Sequence, residues 1–295
     1  MKVSICNSEM DMGGPYLTEL RDSNDIMHDM DALRERMRED GYILIRGLHD
    51  RDKVLRARAE ILDRLHRMGK LDPDFPIHEG VIREGGKGVM FGGTNLDLPA
   101  YLDVVNAPEL MDFFSRFLNG PALTYDYKWL RAIDSGGFTG VHYDVVYMGR
   151  GTKQLYTLWT PFGDTPVEMG TLAVLLGSHK LERLKATYGK MDVDRDPVDG
   201  GWISRDPLEI VEKFGGKWAI ADFRAGDAIF FGMYTMHAST ANRTNRYRVS
   251  CDTRYQLASE PVDDRWIGPK PRAHSERAAV PRISIDEARK QWGLD

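Results

Sequence analysis

Cysteine is nearly absent from this chain: Cys6 and Cys251 are the only two among 295 residues. Two thiols so far apart, with no C-x-x-C, make neither a disulfide framework nor a zinc knuckle. A surplus of basic residues is missing as well, since 40 Lys and Arg face 45 Asp and Glu for a net charge of −5. That balance excludes nucleic acid and an anionic membrane as default partners. No apolar run reaches the roughly eighteen residues of a membrane span, and Met1 to Cys6 lacks the apolar stretch of a secretory signal. The expectation is a cytoplasmic protein. Neither H-E-x-x-H nor G-x-S-x-G occurs, and there is no internal repeat or low-complexity segment.

The pattern of elements is mixed at the start and strand-rich later. Residues 1 to 25 read as an irregular lead-in, and Met27 to Arg38 carries helical spacing that Asp40-Gly41 ends. Asp50 can cap a second helix over Asp52 to Met68, with Val54, Leu55, Ala59, Ile61, Leu62 and Leu65 available for its apolar stripe. Lys70 to Leu98 reads as loops around short strands, Pro99 to Leu118 as helix, and Ala122 to Gln256 as mainly strand. Lys180 to Gly216 is too long and too charged for a hairpin loop and is read as an insert over the mouth of a barrel. Ser284 can start a short terminal helix, Ile285 to Trp292.

The chemistry concentrates in His142-Tyr143-Asp144, with His237 and then Arg248 far downstream. Two imidazole nitrogens and one carboxylate oxygen can hold one face of a divalent metal and leave the other face open, as in non-haem Fe(II) oxygenases. On a strand, side chains alternate with period two, so His142 and Asp144 would project together while Tyr143 turns away. A lone H-x-D is common, and a hydrogen-bonded histidine near a turn is an equal reading of His142 alone. The distal residues weigh against it. Asp227 to Thr240 is rich in β-favouring residues, Asn242 to Asn245 has turn chemistry, and Arg246 to Gln256 alternates again. Read as a hairpin, this stretch sets Ser239 across from Arg248 and His237 one pair further from the turn. The guanidinium would then lie roughly 6 to 7 Å from a metal ligand. That span suits a five-carbon dicarboxylate chelating the metal at its keto-acid end, its far carboxylate held by Arg248 and the Ser239 hydroxyl. Arg246 and Arg254 share the parity of Arg248, and the cross-strand register favours Arg248.

With Asp40 to Gly47, Trp159-Thr160-Pro161, Gly170 to Lys180 and Phe223 to Phe231 in the same order, these motifs resemble the phytanoyl-CoA dioxygenase family from about Leu33 to Trp266. The resemblance implies a mainly β fold with flanking helices, around a double-stranded β-helix (jelly-roll, cupin-like) core. It implies one oxygenase domain over 1–295: helical support at about 27–118, the core at about 121–256 with the insert at about 180–216, and a tail at 259–295. It further implies that His142, Asp144 and His237 bind Fe(II), and that Arg248, with Ser239 beside it, anchors 2-oxoglutarate. Thr157 and Trp159 would fall on a strand lining the cosubstrate pocket. A further polar contact comes from an upstream strand, where Lys128 and Tyr127, of opposite parity, are the candidates.

The implied activity is O₂-dependent oxidative decarboxylation of 2-oxoglutarate to succinate and CO₂, coupled to hydroxylation of an unactivated C–H bond in a small metabolite or natural-product intermediate. Asp144 separates this chain from related halogenases, which lack the carboxylate. Desaturation or epoxidation would use the same ligands. A zinc hydrolase would leave Arg248 without a task, and an inactive binding barrel would not need the ligand set. His179, in Gly-Ser-His, reads as a turn residue, and His28, His49, His66, His78 and His274 lack a carboxylate at metal spacing. Tyr143, Val146, Tyr147, Met148, Phe91, Met90 and Trp202 are candidates for a substrate pocket or for barrel packing.

Overall fold

The computed structural model of the chain describes residues 1–93, 96–275 and 280–295, so that residues 276–279 of the expected tail lie outside the described residues. Two sheets face each other. The larger has seven strands. Its order is Tyr42–Ile45, Ala228–Gly232, Tyr156–Pro161, Arg248–Leu257, Lys128–Ile133 and Val89–Gly93, with Ala122–Thr124 paired to the far end of Arg248–Leu257. All its pairings are antiparallel. The smaller sheet runs His237–Ser239, Leu172–Leu175, Trp218–Ile220 and Leu17–Glu19, and a backbone bridge between His142 and His237 extends it by one position. From Tyr156 onward the chain winds between the sheets, as a double-stranded β-helix requires.

Burial explains the layering. Arg248–Leu257 is buried on both faces along nearly its whole length. Its odd positions, Val249, Cys251 and Tyr255, pack outward against the helices, and its even positions, from Arg248 to Gln256, are buried polar groups. The helical layer consists chiefly of Met30–Asp40, Arg51–Arg67, Pro99–Val105 and Pro108–Leu118. Asp29 and Asp50 cap the first two by accepting backbone N–H bonds, which relieves unpaired donors at those ends. Phe113, Phe114 and Phe117 recur at helical spacing and press onto Phe230, with Phe114 stacked on Tyr255 at 3.8 Å. Between the sheets, Tyr42, Leu44, Trp159, Leu172, Val174 and Phe231 fill one region with apolar side chains.

Several sequence expectations change. The lead-in is ordered: Lys2–Ile5 and Ser8–Asp11 form a hairpin, and Leu17–Glu19 adds a strand parallel to Trp218–Ile220. The single helix expected over 99–118 is two, because Pro108 cannot supply the N–H that would continue the first. The stripe of Arg51–Arg67 is Val54, Ala57, Ile61, Leu62 and Leu65, while Leu55 is exposed. The stretch 180–216 carries the short helices Glu182–Ala186 and Pro207–Phe214. Among the described residues no helix is long and apolar enough to cross a membrane.

Candidate metal centre

Three backbone contexts bring the ligand set together. His237 opens a strand of the smaller sheet, and His142 lies beside it through mutual backbone bonds of 3.0 Å. Asp144 is not on a strand. It has helical backbone angles and starts the four-residue helix Val145–Met148, so the turn into that helix, rather than strand alternation, swings its carboxylate towards the imidazoles. Tyr143 turns into the core, and its hydroxyl donates to the Ser178 carbonyl at 2.8 Å. One ligand atom from each of His142, Asp144 and His237 lies within 4.8 Å of the others, and all three residues are buried. Asp144 Oδ1 is 3.7 Å from His142 Nε2 and 3.8 Å from His237 Nε2.

The outer contacts set the tautomers. His142 Nδ1 is 2.8 Å from the Gly140 carbonyl and His237 Nδ1 is 3.0 Å from the Thr235 carbonyl. A carbonyl only accepts, so each Nδ1 carries the proton and each Nε2 lone pair faces the gap. Burial, followed by the neighbouring His237, pushes His142 down to about 3, and burial lowers His237 too. Burial alone would raise Asp144, but the Arg254 guanidinium and the two imidazoles outweigh it and hold the carboxyl well below its usual range. At neutral pH the set is therefore two neutral imidazoles and one carboxylate, ready for a divalent ion without shedding protons.

Around the ligands lies a small chamber whose walls include Arg131, Thr139, Trp159, Ser239, Arg248 and Asp252. The hairpin expected to set Arg248 beside His237 does not form. After Ser239 the backbone of Thr240, Ala241 and Asn242 donates to Thr171, Ser4 and Gly137, so 242–245 carries the chain from one sheet to the other. His237 and Arg248 face the chamber from opposite sheets. Arg248 is 2% exposed, its Nη1 donates to Ser250 Oγ, and its buried Nε has no hydrogen-bond partner. Its guanidinium lies 5.9 Å from the centre of the Trp159 ring. Burial and then the nearby Arg131 lower it to about 10, and among the described residues no carboxylate is within ion-pair distance. Ser239 Oγ accepts the Thr139 N–H at 2.8 Å, which leaves its own proton to donate.

Other expectations fall elsewhere. Thr157 gives its hydroxyl to Asp144 Oδ2 and does not line the chamber. Lys128 donates to the Tyr125 carbonyl and to Thr124, and Tyr127 packs on Trp129 and Trp266, so neither is the upstream polar contact. Arg131, on the same strand and ion-paired with Asp252, reaches the chamber instead. Arg254, which the expected register disfavours as an anion anchor, pairs with Asp144. Arg246 is a surface partner of Glu79. His179 ties its turn to the Arg38 carbonyl at 3.0 Å, and His274 pairs with Asp194, a carboxylate 80 residues away in sequence. Of the pocket candidates, Phe91, Tyr143, Val146 and Met148 are core, Met90 is exposed, and Tyr147 and Trp202 line a separate cavity.

The sequence model of the phytanoyl-CoA dioxygenase family matches residues 37–250. A 1-deoxypentalenic acid 11-beta-hydroxylase of Streptomyces exfoliatus is 26% identical over 255 residues, which cover 82% of this chain and 87% of that protein. Its Streptomyces arenae counterpart is 25% identical over 254 residues, 82% of this chain and 86% of its own. Among solved structures, the epimerase SnoN in complex with Fe3+ and alpha ketoglutarate aligns with a TM-score of 0.57 at 20% identity, over 87% of this chain and 93% of that one. EctD from S. alaskensis with 2-oxoglutarate and 5-hydroxyectoine aligns with a TM-score of 0.57 at 16% identity, over 92% and 90%. These structures share the fold, and the His142, Asp144, His237 set fits iron. The chain therefore belongs to the phytanoyl-CoA dioxygenase family, oxygenases that use iron and 2-oxoglutarate.

Proposed function

We propose that this enzyme hydroxylates an unactivated C–H bond of a small metabolite or natural-product intermediate, in a cytoplasmic setting. His142, Asp144 and His237 would hold Fe(II), and Arg248 with Ser239 would hold the far carboxylate of 2-oxoglutarate against Trp159. When bound, iron with 2-oxoglutarate and dioxygen supplies an oxidant for such a bond, and the cosubstrate leaves as succinate and CO₂.

The observation that carries the reading is Arg248. A buried guanidinium with a partnerless Nε, facing the chamber of a three-ligand set, lacks an anion, and a bidentate carboxylate supplies both charge and acceptors. Trp159 and Leu172 supply apolar wall to the same chamber, and Arg131 is already paired with Asp252, so it does not compete for the same anion.

For the substrate, support comes from a cavity of about 840 Å³, an ample size for a small organic molecule. Its wall includes Tyr147, whose ring stands edge-on to His142 at 5.5 Å. Trp202, also on the wall, lies so close over Gly140 that any Cβ there would meet its ring at 2.5 Å. The Gly140 carbonyl in turn holds His142, so cavity and metal centre share one wall. Anaerobic titration with Fe(II) and 2-oxoglutarate tests the metal reading through the visible charge-transfer band of the chelate. Screening small molecules for stimulated succinate release, with mass analysis for one added oxygen, tests the reaction. Absence of the band, or products without added oxygen, would overturn the corresponding part.

A further inference from the structure

Asp144 occupies the position before the first residue of Val145–Met148, where an aspartate ordinarily turns its carboxylate onto the helix N–H groups. Here it makes no such cap. Its oxygens are instead divided between two tasks. Oδ1 faces both imidazole nitrogens, at 3.7 and 3.8 Å. Oδ2 receives the Thr157 hydroxyl and lies 3.3 Å from Arg254 Nη2.

Arg254 is built into this place. It is 2% exposed, its guanidinium lies over Trp129 at 4.5 Å, and its Nε points at Met148 Sδ at 3.0 Å. Among the described residues, Asp144 is the one carboxylate within ion-pair distance of it. Arg254 is not among the residues that line the chamber and reaches it through Asp144. A buried arginine spent on one oxygen of a metal ligand needs a reason, because burying the pair is expensive and a neutral contact would pack as well.

Resting on the iron reading above, we propose that Arg254 is a positioning residue that, with Thr157, makes Asp144 a one-oxygen ligand. The cation and the hydroxyl keep Oδ2 off the metal and hold Oδ1 towards it. A carboxylate free to chelate through both oxygens would take a coordination position that the cosubstrate and dioxygen need. The positive charge also draws electron density from the carboxylate and makes it a weaker donor.

The test uses the full chain and variants Arg254→Met, Arg254→Lys and Thr157→Val, each checked for folding by circular dichroism. Two quantities are read anaerobically: Fe(II) affinity without cosubstrate, and the wavelength of the charge-transfer band with 2-oxoglutarate. Outer partners of metal ligands are worth roughly ten- to hundred-fold in affinity. Arg254→Met should therefore tighten Fe(II) binding by about ten-fold, because a cation beside the site is gone and both carboxylate oxygens are free to donate, and should move the band to longer wavelength because the carboxylate then donates more strongly. Arg254→Lys should recover part of both changes, and Thr157→Val should shift both in the same direction by less. A folded Arg254→Met with parental affinity and band position would reduce Arg254 to packing. If that variant does not fold, an unchanged Thr157→Val overturns the proposal in its place. A parental protein with no band at all refutes the iron reading itself, and that outcome is distinct from an unshifted variant.

Discussion

Replacing Arg248 separates stability from function in a way that only an anion-awaiting site would produce. The side chain is buried, its Nε is partnerless, and burial and then the Arg131 charge, against the opposing Asp252 carboxylate, lower it to about 10. Such a group is a burden on the cosubstrate-free fold, since an unpaired buried charge costs more than a well-packed apolar side chain of similar volume. Arg248→Met should therefore leave the Tm without 2-oxoglutarate unchanged or raise it. The same change would remove the two charge-assisted hydrogen bonds proposed to the cosubstrate, each contributing about 1.5 to 3 kcal/mol. Arg248→Lys keeps the charge but loses the fork. The loss of one such bond corresponds to roughly ten- to hundred-fold weaker 2-oxoglutarate binding. In thermal or urea unfolding with Fe(II) present, 2-oxoglutarate at about a hundred times its Kd should stabilise the parental protein by about 2.7 kcal/mol. It should not stabilise Arg248→Met at that concentration. Arg246→Ala, at the surface pair with Glu79, is the control and should behave as the parent. The reasoning is refuted if Arg248→Met keeps the ligand-induced stabilisation, or if it loses several kcal/mol with no ligand present.

His142→Ala and His237→Ala should each abolish iron-dependent 2-oxoglutarate turnover in a folded protein, with near-parental succinate formation in either removing the metal assignment. Asp144→Ala should end hydroxylation and, with chloride present, at best open a halide position, which product mass spectra would reveal; hydroxylation at the parental rate refutes the ligand set. Burial lowers His49 from 6.5 to about 4, so the folded chain keeps it neutral where the unfolded chain takes a proton. Its contribution is complete above pH 6.5 and is lost as pH falls towards 4, with about 2 kcal/mol gone by about pH 5. Urea unfolding of His49→Gln at about pH 7.5 and 5 should show a smaller acid loss than the parent, and an equal loss would contradict this assignment.

The parts of the site with local signals were legible in the sequence, and the parts set by sheet pairing were not. His142, Asp144 and His237 are recognisable by residue type and order, and the caps Asp50 and Ser284 mark their helices from sequence alone. Arg248 faces His237 from the opposite sheet and not across the hairpin that the turn residues suggest. Asn242 does turn the backbone, holding the Arg246 carbonyl through Nδ2 at 2.8 Å, but turn chemistry does not state whether the strands it joins pair with each other. Here they join different sheets. The two contacts that decide the state of the ligands, Gly140 and Thr235, are carbonyls and leave no trace in residue identity.

The parts played by Arg131, Asp252 and Arg254 are hidden in the sequence for a different reason, which lies in how alternation along a strand ordinarily reads. A strand with apolar odd and polar even positions suggests a polar face in water. Val249, Cys251 and Tyr255 are indeed inside, but so are Arg248, Ser250, Asp252, Arg254 and Gln256. Helices cover the apolar face, and the polar face turns into the barrel. Five buried polar side chains at alternate positions of one strand cannot all be solvated, so each must find a partner or await one. Asp252 takes Arg131, Arg254 takes Asp144, Ser250 takes Arg248 Nη1, and Gln256 takes backbone carbonyls near Pro261. Of the five, only Arg248 keeps a buried donor unmatched, at Nε. The strand thus carries paired polar groups and the proposed anion anchor in one row, and among these five the open donor, rather than residue type, marks Arg248.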